Sequence, residues 1–477
     1  MDSWWRRYGR AISLSAILAL AAFLRFYRLG YKSLWYDEAW SITLAMKGLA
    51  QAYRELAGQI YPPFYQILLR LWVLAFGHTE TAARSLSALM GWAAVAAVYW
   101  LARRIANQRV ALIAALLLAV SPFHLEYSQE ARGYSLLLLL TLLSFGSLLR
   151  WLEDGSYRWA AVDIGSTALS FYTHPYAFLL PLAQAWIWLM HLWERREERK
   201  RLMVSWVIST VLPAAAFAPM IPIFYREAAG VSRDFWIPKP SGDDIWSTVK
   251  IFAGQDRWSL ASLGLVTVIG LSSLLAYEGR RRFRARLYLA WWWLPLLAAF
   301  AFSNLAFSVY QAKYLIFASV PLYLIAAEGM AQLRPRALRL TVLALVLAAH
   351  IQPLVEYYRR PKIEEWRGLS QFLKQRTGQS DLILIYEENE YDDLWRPLSY
   401  YGGADTARTM AIDGVSDIKK LRAKGRNIWL IITHVGQPDS VASIKKRLTL
   451  RYRLEESKDF PGITLQRYQV PRTPPMR

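Results

Sequence analysis

The strongest constraint on this chain is a long series of apolar segments, each bounded by positive charge. The first segment covers residues 11–24, and others of similar length follow it up to residue 353. Because the hydrocarbon core of a bilayer is about 30 Å thick, a helix that crosses it needs about 20 mainly apolar residues. Hydrophobic residues make up 55% of the chain, and the 19% that are charged punctuate those segments. The pattern predicts a polytopic α-helical membrane protein.

The formal net charge of +21 agrees with that topology. In a soluble protein such a charge would suggest nucleic-acid binding, which depends on clustered Lys and Arg. Here the Arg clusters lie between apolar segments, as positive charge does in short cytoplasmic loops, and no nucleic-acid module is recognisable. We therefore expect a lipid bilayer and no nucleic acid as partner. The chain contains no Cys, which excludes disulfides and thiol chemistry.

Segment length and loop charge together predict about eleven transmembrane helices. This count leaves the N-terminus in the cytoplasm and every strong Arg cluster on the cytoplasmic side. A cleavable signal peptide is the alternative for the first segment, since Ala19-Leu20-Ala21 is a formal cleavage pattern, but the apolar run continues beyond it. The predicted spans are residues 11–29, 86–101, 110–127, 134–152, 159–173, 175–193, 202–224, 259–277, 287–302, 314–330 and 338–353.

A shorter apolar segment, residues 62–76, lies in the first predicted outside loop and must not cross for this count to hold. It begins with Pro62-Pro63 and contains Arg70, which favours a helix lying in the membrane interface. If the segment crossed, every later assignment would invert and the Arg clusters would face outward.

The character of the chain changes at about residue 356. Two short apolar runs, residues 381–386 and 427–432, are typical of buried strands, and residues 363–376 have the pattern of an amphipathic helix. No phosphate loop or dinucleotide fingerprint is present. We therefore expect a transmembrane domain over residues 1–355 and a small soluble α/β domain over residues 356–477, outside the cell or in the periplasm.

Two adjacent carboxylates follow the first span. Asp37 and Glu38 lie in the sequence LWYDEAWS, residues 34–41. An acidic residue in this place can cap a helix and interact favourably with its dipole. A carboxylate beside desolvating aromatic rings can also have a raised pKa and act as a general base. The residues alone favour neither interpretation.

Cations occur on the same predicted face. Arg132 follows Glu130 in SQEARGY, residues 128–134, and Lys313 lies where a span begins on the outside. The positive-inside rule disfavours a lysine there, so an anion such as a lipid phosphate is expected beside it. Arginine is well suited to binding phosphate oxygens. A local ion pair with Glu130, or a snorkelling side chain, are the structural alternatives for Arg132.

His174, in YTHPY at residues 172–176, lies on that face as well. It is either an interfacial polar side chain or a ligand of phosphate or metal. No single segment has the spacing of a typical zinc motif. The sequence therefore supports no particular metal, and a divalent cofactor stays an open expectation.

Several short motifs occur in the order found in the GT-C glycosyltransferases, which the chain resembles over about residues 1–330. The nearest resemblance is to the bacterial branch similar to the dolichyl-phosphate-mannose protein mannosyltransferases and to the aminoarabinose transferases that modify lipid A. The motifs are LWYDEAWS, YPPFY at 61–65, Phe76-Gly77 leading to Arg84 and Ser87, SPFHLEYSQEARGY at 121–134, YTH at 172–174 and AKYL at 312–315.

The resemblance implies an inverting glycosyltransferase that moves a sugar from a polyprenyl monophosphate to an acceptor hydroxyl on the outer face of the membrane. The resemblance leaves a protein, a glycan and a lipid open as acceptors. Tyr61 departs from relatives, which commonly have His or a basic residue before the proline pair. The implied roles are catalysis for Asp37 with its neighbour Glu38, donor-phosphate binding for Arg132, Lys313 and His174, and cavity or acceptor contacts for Tyr61, Glu130, Tyr134 and Tyr314.

A transporter or flippase of lipid-linked sugars is the alternative function. It would also have many spans and intramembrane charges, but it is expected to show inverted repeats and helices broken within the membrane. The sequence shows no repeat, and its charges gather at one face. A non-catalytic scaffold that displays the C-terminal domain is a third reading, which would leave the shared location of Asp37, Arg132 and Lys313 unexplained.

Overall fold

The structure is a computed structural model that describes residues 2–56, 62–231, 237–359, 364–386, 395–402, 408–412, 414–420, 427–433 and 438–469. Packing divides the chain into two compact units. Unit 1 consists of Met1–Leu29, Lys47–Gly77 and Ala82–Tyr357, and unit 2 of Gly30–Met46, His78–Thr81 and Tyr358–Arg477. Two short segments from the first predicted outside loop thus pack with the C-terminal part of the chain, which the predicted boundary at residue 356 did not anticipate.

Among the described residues before residue 360, the regular secondary structure is helical. One of them, α2, lies in unit 2, and α5 begins in unit 2 and continues in unit 1. Short 3-10 turns occur at Pro175–Leu179, Arg196–Glu198, Ala218–Met220 and Ala312–Ser319. The helices are α1 Asp2–Phe26, α2 Tyr36–Met46, α3 Leu49–Leu56, α4 Phe64–Phe76, α5 Glu80–Ile105, α6 Gln108–Val120, α7 Pro122–Ser128, α8 Tyr134–Asp154, α9 Tyr157–Phe171, α10 Leu180–Glu194, α11 Arg199–Phe217, α12 Ile221–Val231, α13 Gly242–Phe252, α14 Arg257–Leu275, α15 Arg280–Leu305, α16 Val320–Gln332 and α17 Arg336–Arg359.

Each of the predicted spans coincides with one of these helices or with a pair of them. Among the residues described, eight helices are long and apolar enough to cross a bilayer, and α6 with α7, bent by 62°, would make a ninth span. The two other predicted spans correspond to α9 and α10, with 15 residues each, about 22 Å at 1.5 Å per residue. The predicted polytopic helical class is confirmed, and two of its spans are shorter than a typical crossing helix.

The sequence left two interpretations open for residues 62–76 and for the first apolar segment, and the structure describes both segments as helices. Helix α4, the predicted interfacial helix, has 13 residues, about 20 Å, and so falls short of the hydrocarbon core. Helix α1 is continuous and packs against α6.

Helix starts follow ordinary capping chemistry. The Asn107 side chain accepts hydrogen bonds from the backbone N–H groups of Arg109 (2.9 Å) and Val110 (3.2 Å) at the start of α6. Asp256 does the same at the start of α14. Such bonds satisfy donors that have no partner within the helix. Within the predicted polar loop of residues 225–258, the described residues after 236 include helix α13, which begins with a capping box formed by Ser241 and Asp244.

Helices α14 and α16 approach each other at two glycines. A Cβ atom on Gly270 would lie 2.0 Å from the carbonyl oxygen of Ile325, and one on Gly329 would lie 2.0 Å from that of Val266. Small residues permit such contact between helix backbones, and packing of this kind holds helices together in lipid. The pair fixes α16, which directly follows the segment that contains Lys313.

Unit 2 contains a five-stranded sheet with the order β2-β1-β3-β5-β4. Strand β1 is parallel to β2 and β3, and β5 is antiparallel to β3 and β4. The strands are β1 Leu382–Tyr386, β2 Thr409–Ile412, β3 Ile428–Ile432, β4 Arg453–Phe460 and β5 Ile463–Gln469, and the accompanying helices are α18 Trp366–Arg376, α19 Trp395–Tyr400, α20 Val415–Lys420 and α21 Pro438–Thr449.

Both faces of this sheet are covered, which explains the continuous apolar runs of β1 and β3. Alternate strand residues point to opposite faces. Leu384 and Leu430 accordingly join an apolar cluster with Ile444 of α21, whereas Ile385 and Trp429 join a second cluster that includes residues of α18. The two predicted strands and the helix between span and strand are confirmed, and so is the small α/β fold.

The glycine contact predicts a difference between two alanine substitutions in α14. Gly270→Ala should lower the melting temperature, since the new methyl group must displace backbone at a cost of about 1–3 kcal/mol. Gly264→Ala is the matched control, because a Cβ atom there meets nothing within 4 Å and both changes share the same helix-propensity gain. Thermal unfolding in detergent, followed by tryptophan fluorescence, measures both; equal melting temperatures would contradict the close crossing.

Candidate active site

A short turn joins α7 to α8 and presents Glu130 and Arg132. Within it, the backbone N–H of Arg132 donates to the carbonyl of Glu130 at 2.8 Å. The Ser87 hydroxyl of α5 donates to the carbonyl of Arg132 at 3.0 Å, and the Tyr65 hydroxyl of α4 lies 2.9 Å from that of Ser87. The turn is therefore held from outside by side chains of two other helices.

Gln129 anchors the beginning of the same turn. Its side-chain amide donates to the carbonyls of Leu24 (3.2 Å), Arg25 (2.9 Å) and Tyr27 (3.0 Å) at the end of α1. The Tyr357 hydroxyl of α17 donates to the side-chain oxygen of Gln129 at 2.9 Å. One amide thus ties the turn to the first and the last helix of unit 1.

His174 lies between α9 and the 3-10 turn Pro175–Leu179, buried and outside the apolar helices. Its Nδ1 accepts the backbone N–H of Tyr176 at 3.1 Å, which leaves the proton of the neutral ring on Nε2. Burial, and then the nearby charges of Arg132 and Lys313, lower the pKa of His174 to about 3. The imidazole is therefore a neutral hydrogen-bond donor at physiological pH.

Aromatic rings surround His174. Its ring centroid lies 4.9 Å from that of Tyr314, 5.7 Å from that of Tyr176 and 5.8 Å from that of Tyr134. The Lys313 ammonium lies 5.4 Å from the Tyr314 ring centroid and 5.9 Å from the Tyr134 ring centroid. Both distances are in the range of cation–π attraction, which helps to hold a lysine in this half-buried place.

The structure thus brings together five residues that the sequence predicted separately: Arg132 from the turn before α8, Tyr134 from the start of α8, His174 from the next loop, and Lys313 and Tyr314 from the segment before α16. Glu130 is buried on the same turn as Arg132. Two cations beside a neutral donor, one of them buried and the other half-buried, form a place that favours a multiply charged anion. The roles of these residues stay predictions.

The predicted catalytic carboxylates belong to unit 2. Asp37 and Glu38 occupy the first turn of α2, where acidic residues interact favourably with the helix dipole. Glu38 is completely buried, whereas Asp37 is half-buried. The position agrees with the structural interpretation, and the catalytic interpretation of Asp37 stays a prediction. Tyr61 lies outside the described residues.

Among the residues that the structure describes, no group of three or more His, Asp or Glu side chains is arranged to hold a metal ion. The proposals below rest on the chain's own side chains. Sequence reasoning missed two residues of the site's framework, Gln129 and Tyr176. Gln129 stands inside a motif that was recognised, but its partners are backbone carbonyls, which no sequence pattern identifies.

Comparison with known proteins agrees with this description. Residues 61–223, about a third of the chain, match the model of a family described as dolichyl-phosphate-mannose-protein mannosyltransferase. The matched segment contains Glu130, Arg132, Tyr134 and His174. No curated protein matches the chain.

Solved structures share the fold over nearly the whole chain. ArnT from Cupriavidus metallidurans, solved bound to undecaprenyl phosphate, superposes with a TM-score of 0.62 at 13% sequence identity, covering 96% of this chain and 98% of that one. The oligosaccharyltransferase AglB from Archaeoglobus fulgidus, in complex with an inhibitory peptide and a dolichol-phosphate, gives a TM-score of 0.57 at 11% identity, covering 98% of this chain and 75% of that one. The predicted GT-C fold is confirmed, and the family match indicates a membrane glycosyltransferase.

The lowered pKa of His174 predicts an acid-dependent loss of stability. The unfolded chain binds a proton at His174 below about pH 6.5, whereas the folded chain does not until about pH 3. Each pH unit below 6.5 therefore costs about 1.4 kcal/mol, or about 2 kcal/mol at pH 5. This loss should be absent in His174→Asn, whose amide oxygen can still accept the Tyr176 N–H.

Melting temperatures of the two proteins, measured in detergent from pH 7.5 to pH 5, test this expectation. The other histidines contribute equally to both, so the difference between the curves isolates His174. Parallel curves would contradict a buried, neutral His174.

Proposed function

We propose that this protein is an inverting glycosyltransferase that moves a sugar from a polyprenyl monophosphate to an acceptor hydroxyl. The observation that carries the proposal is the convergence of Arg132 and Lys313 on the neutral, buried His174. ArnT was solved bound to undecaprenyl phosphate, and AglB with a dolichol-phosphate. These structures support a polyprenyl phosphate as the anion that this cationic site takes.

In this proposal the three residues bind the phosphate of the donor. Arg132 and Lys313 supply positive charge, and the Nε2–H of His174 supplies a hydrogen bond without adding charge. As the bond to the sugar breaks, negative charge grows on the phosphate oxygen. Cations already fixed in a site of low water content stabilise that charge without reorganising.

The reaction is a single displacement at the anomeric carbon. The acceptor oxygen forms a bond to this carbon, the bond from the carbon to the phosphate oxygen breaks with its electron pair, and the acceptor proton passes to the Asp37 carboxylate. The products are the glycosylated acceptor and the polyprenyl monophosphate. One displacement inverts the anomeric configuration.

The other predicted residues take supporting roles. Glu38, being completely buried, contributes to the position of α2. Glu130 shares the turn of Arg132, and the rings of Tyr134 and Tyr314 confine the Lys313 ammonium. A cavity or acceptor role for Tyr61, Glu130, Tyr134 and Tyr314 is part of the same proposal.

The positions of the Arg clusters support the proposed sidedness. The N-terminus would be cytoplasmic, and the reaction would occur on the periplasmic or extracellular face, where unit 2 would also lie. The acceptor is a hydroxyl of a protein, a glycan or a lipid.

One structural feature bears on the transporter alternative, namely the bend between α6 and α7. Transporters use broken helices to expose backbone groups to a substrate cavity. Here the carbonyls of Leu118 and Ala119 at the break accept hydrogen bonds from the buried Arg25. Because the Arg25 side chain already pairs these carbonyls, they are not exposed to a substrate cavity. The bend therefore has a structural role, which favours the transferase.

The phosphate site predicts that two cations control donor binding. Arg132→Ala and Lys313→Ala should each weaken binding of undecaprenyl phosphate by about 10–100-fold, as expected when a charge-assisted hydrogen bond is lost. Arg257→Ala is the control, since this exposed arginine stacks only on Trp258 among the contacts observed. Binding is measured in nanodiscs by tryptophan fluorescence; unchanged affinity in both site variants would refute the phosphate site.

The proposed base predicts the effect of a single isosteric change. Asp37→Asn should reduce turnover by about 10²–10⁴-fold, the usual contribution of a general base, while leaving the affinity for undecaprenyl phosphate unchanged. The assay follows release of undecaprenyl phosphate from a panel of undecaprenyl-phosphate-linked hexoses and aminoarabinose in the presence of membrane extract. Asp243→Asn is the matched control, because Asp243 is also a first-turn residue of a helix. Full turnover of Asp37→Asn would rule out the base role.

A further inference from the structure

The segment that leads into α2 is held by one arginine of the C-terminal part of unit 2. The guanidinium of Arg367 donates to the carbonyls of three successive residues, Gly30 (2.9 Å), Tyr31 (3.3 Å) and Lys32 (3.2 Å). The backbone N–H of Arg367 donates to the Ser33 hydroxyl at 3.1 Å. A single residue of α18 therefore fixes four consecutive positions of this segment.

Tyr401 holds the next position. The backbone N–H of Leu34 donates to the Tyr401 hydroxyl at 2.8 Å, and that hydroxyl donates in turn to the carboxylate of Glu80. Arg367 Nε donates to the same carboxylate oxygen at 3.1 Å. Glu80 thus connects the two residues that hold residues 30–34, and Asp37 follows only three positions later.

Helix α2 itself is also packed within unit 2. Most of its residues from Glu38 to Ala45 are buried, and α19 lies against it. Tyr36, at its first position, packs against the apolar cluster that contains Trp366 and Leu369. The direction of α2 is therefore fixed in two ways: by the hydrogen bonds of residues 30–34 before it and by the packing of its apolar face.

We propose that Arg367 and Tyr401 are positioning residues of the transfer reaction: by fixing residues 30–34, they orient the first turn of α2 and with it the Asp37 carboxylate. The inference rests on the proposed role of Asp37 as base. It gives the C-terminal part of the chain a function in the chemical step, in addition to any role in binding the acceptor.

The physical reason lies in the geometry of the guanidinium group. Its planar fork of five N–H donors can serve three carbonyls and a carboxylate at once, whereas a lysine ammonium has three donors at one point. A displacement of a reacting group by about 1 Å can reduce the rate by about 100-fold. Loss of the Arg367 guanidinium should therefore reduce turnover although Asp37 is still present.

The test uses the full-length protein with Arg367→Lys and Tyr401→Phe. Amide hydrogen exchange of residues 30–46 should become at least about 10-fold faster in Arg367→Lys, because the guanidinium contacts to the carbonyls of residues 30–32 are lost. Turnover should fall about 10–100-fold in Arg367→Lys and less in Tyr401→Phe, with the affinity for undecaprenyl phosphate unchanged. In an Asp37→Asn background, Arg367→Lys should cause little further loss, since both changes act through the same carboxylate.

Matched controls are available in the same unit. Arg467→Lys changes an arginine that pairs with Glu455 and lies over Trp429, and Tyr468→Phe removes a hydroxyl bonded to Gln466; both should leave exchange and turnover unchanged. Normal turnover in Arg367→Lys and Tyr401→Phe, beside an inactive Asp37→Asn, would overturn the positioning role while leaving the proposed function intact. An active Asp37→Asn would instead refute the base role, on which this inference rests.

Discussion

The site in unit 1 depends on two hydrogen bonds from Arg25 to carbonyls at the broken end of α6. Pro122 has no N–H to offer the carbonyl of Leu118, and the 62° bend deprives Ala119 of its helical partner as well. Within a bilayer no water can replace those donors. The completely buried Arg25 donates to both carbonyls, at 3.3 Å and 3.2 Å. Without it the bend would leave two polar groups unpaired in hydrocarbon.

The bend determines where the charged turn lies. Helix α7 ends at Ser128 instead of continuing along the axis of α6, so the turn at residues 129–133 reaches the partners that hold Gln129 and the Arg132 carbonyl. Burial, and then the charges of Arg132 and Lys313, lower the pKa of His174 there. The electrostatic character of the site thus depends on two backbone carbonyls several residues away, which the Arg25 side chain pairs.

The sequence predicts those features that repeat or that depend on composition. Apolar segments and Arg clusters placed a helix at every expected span, and the runs at residues 381–386 and 427–432 predicted β1 and β3 because strands covered on both faces are continuously apolar. The order of the motifs predicted the fold, and the topology predicted that Arg132, His174 and Lys313 lie on one face. Partners such as the carbonyls bound by Arg25, Gln129 and Arg367 could not be predicted, since every residue has a carbonyl and only the folded chain selects among them. For the same reason residues 30–46 gave no sign that they pack with unit 2.

The location of the proposed base in unit 2 has a physical rationale. A carboxylate needs hydrogen-bonded, rigid surroundings to keep one orientation, and polar networks of that kind are costly on helices that face lipid. Glu80, Arg367 and Tyr401 form such a network in unit 2, which also contains an apolar cluster built on the sheet. The cations need the opposite conditions, because a phosphate is bound most strongly where water is scarce. A chain that requires both can meet each requirement by building the base and the phosphate site on units with different interiors.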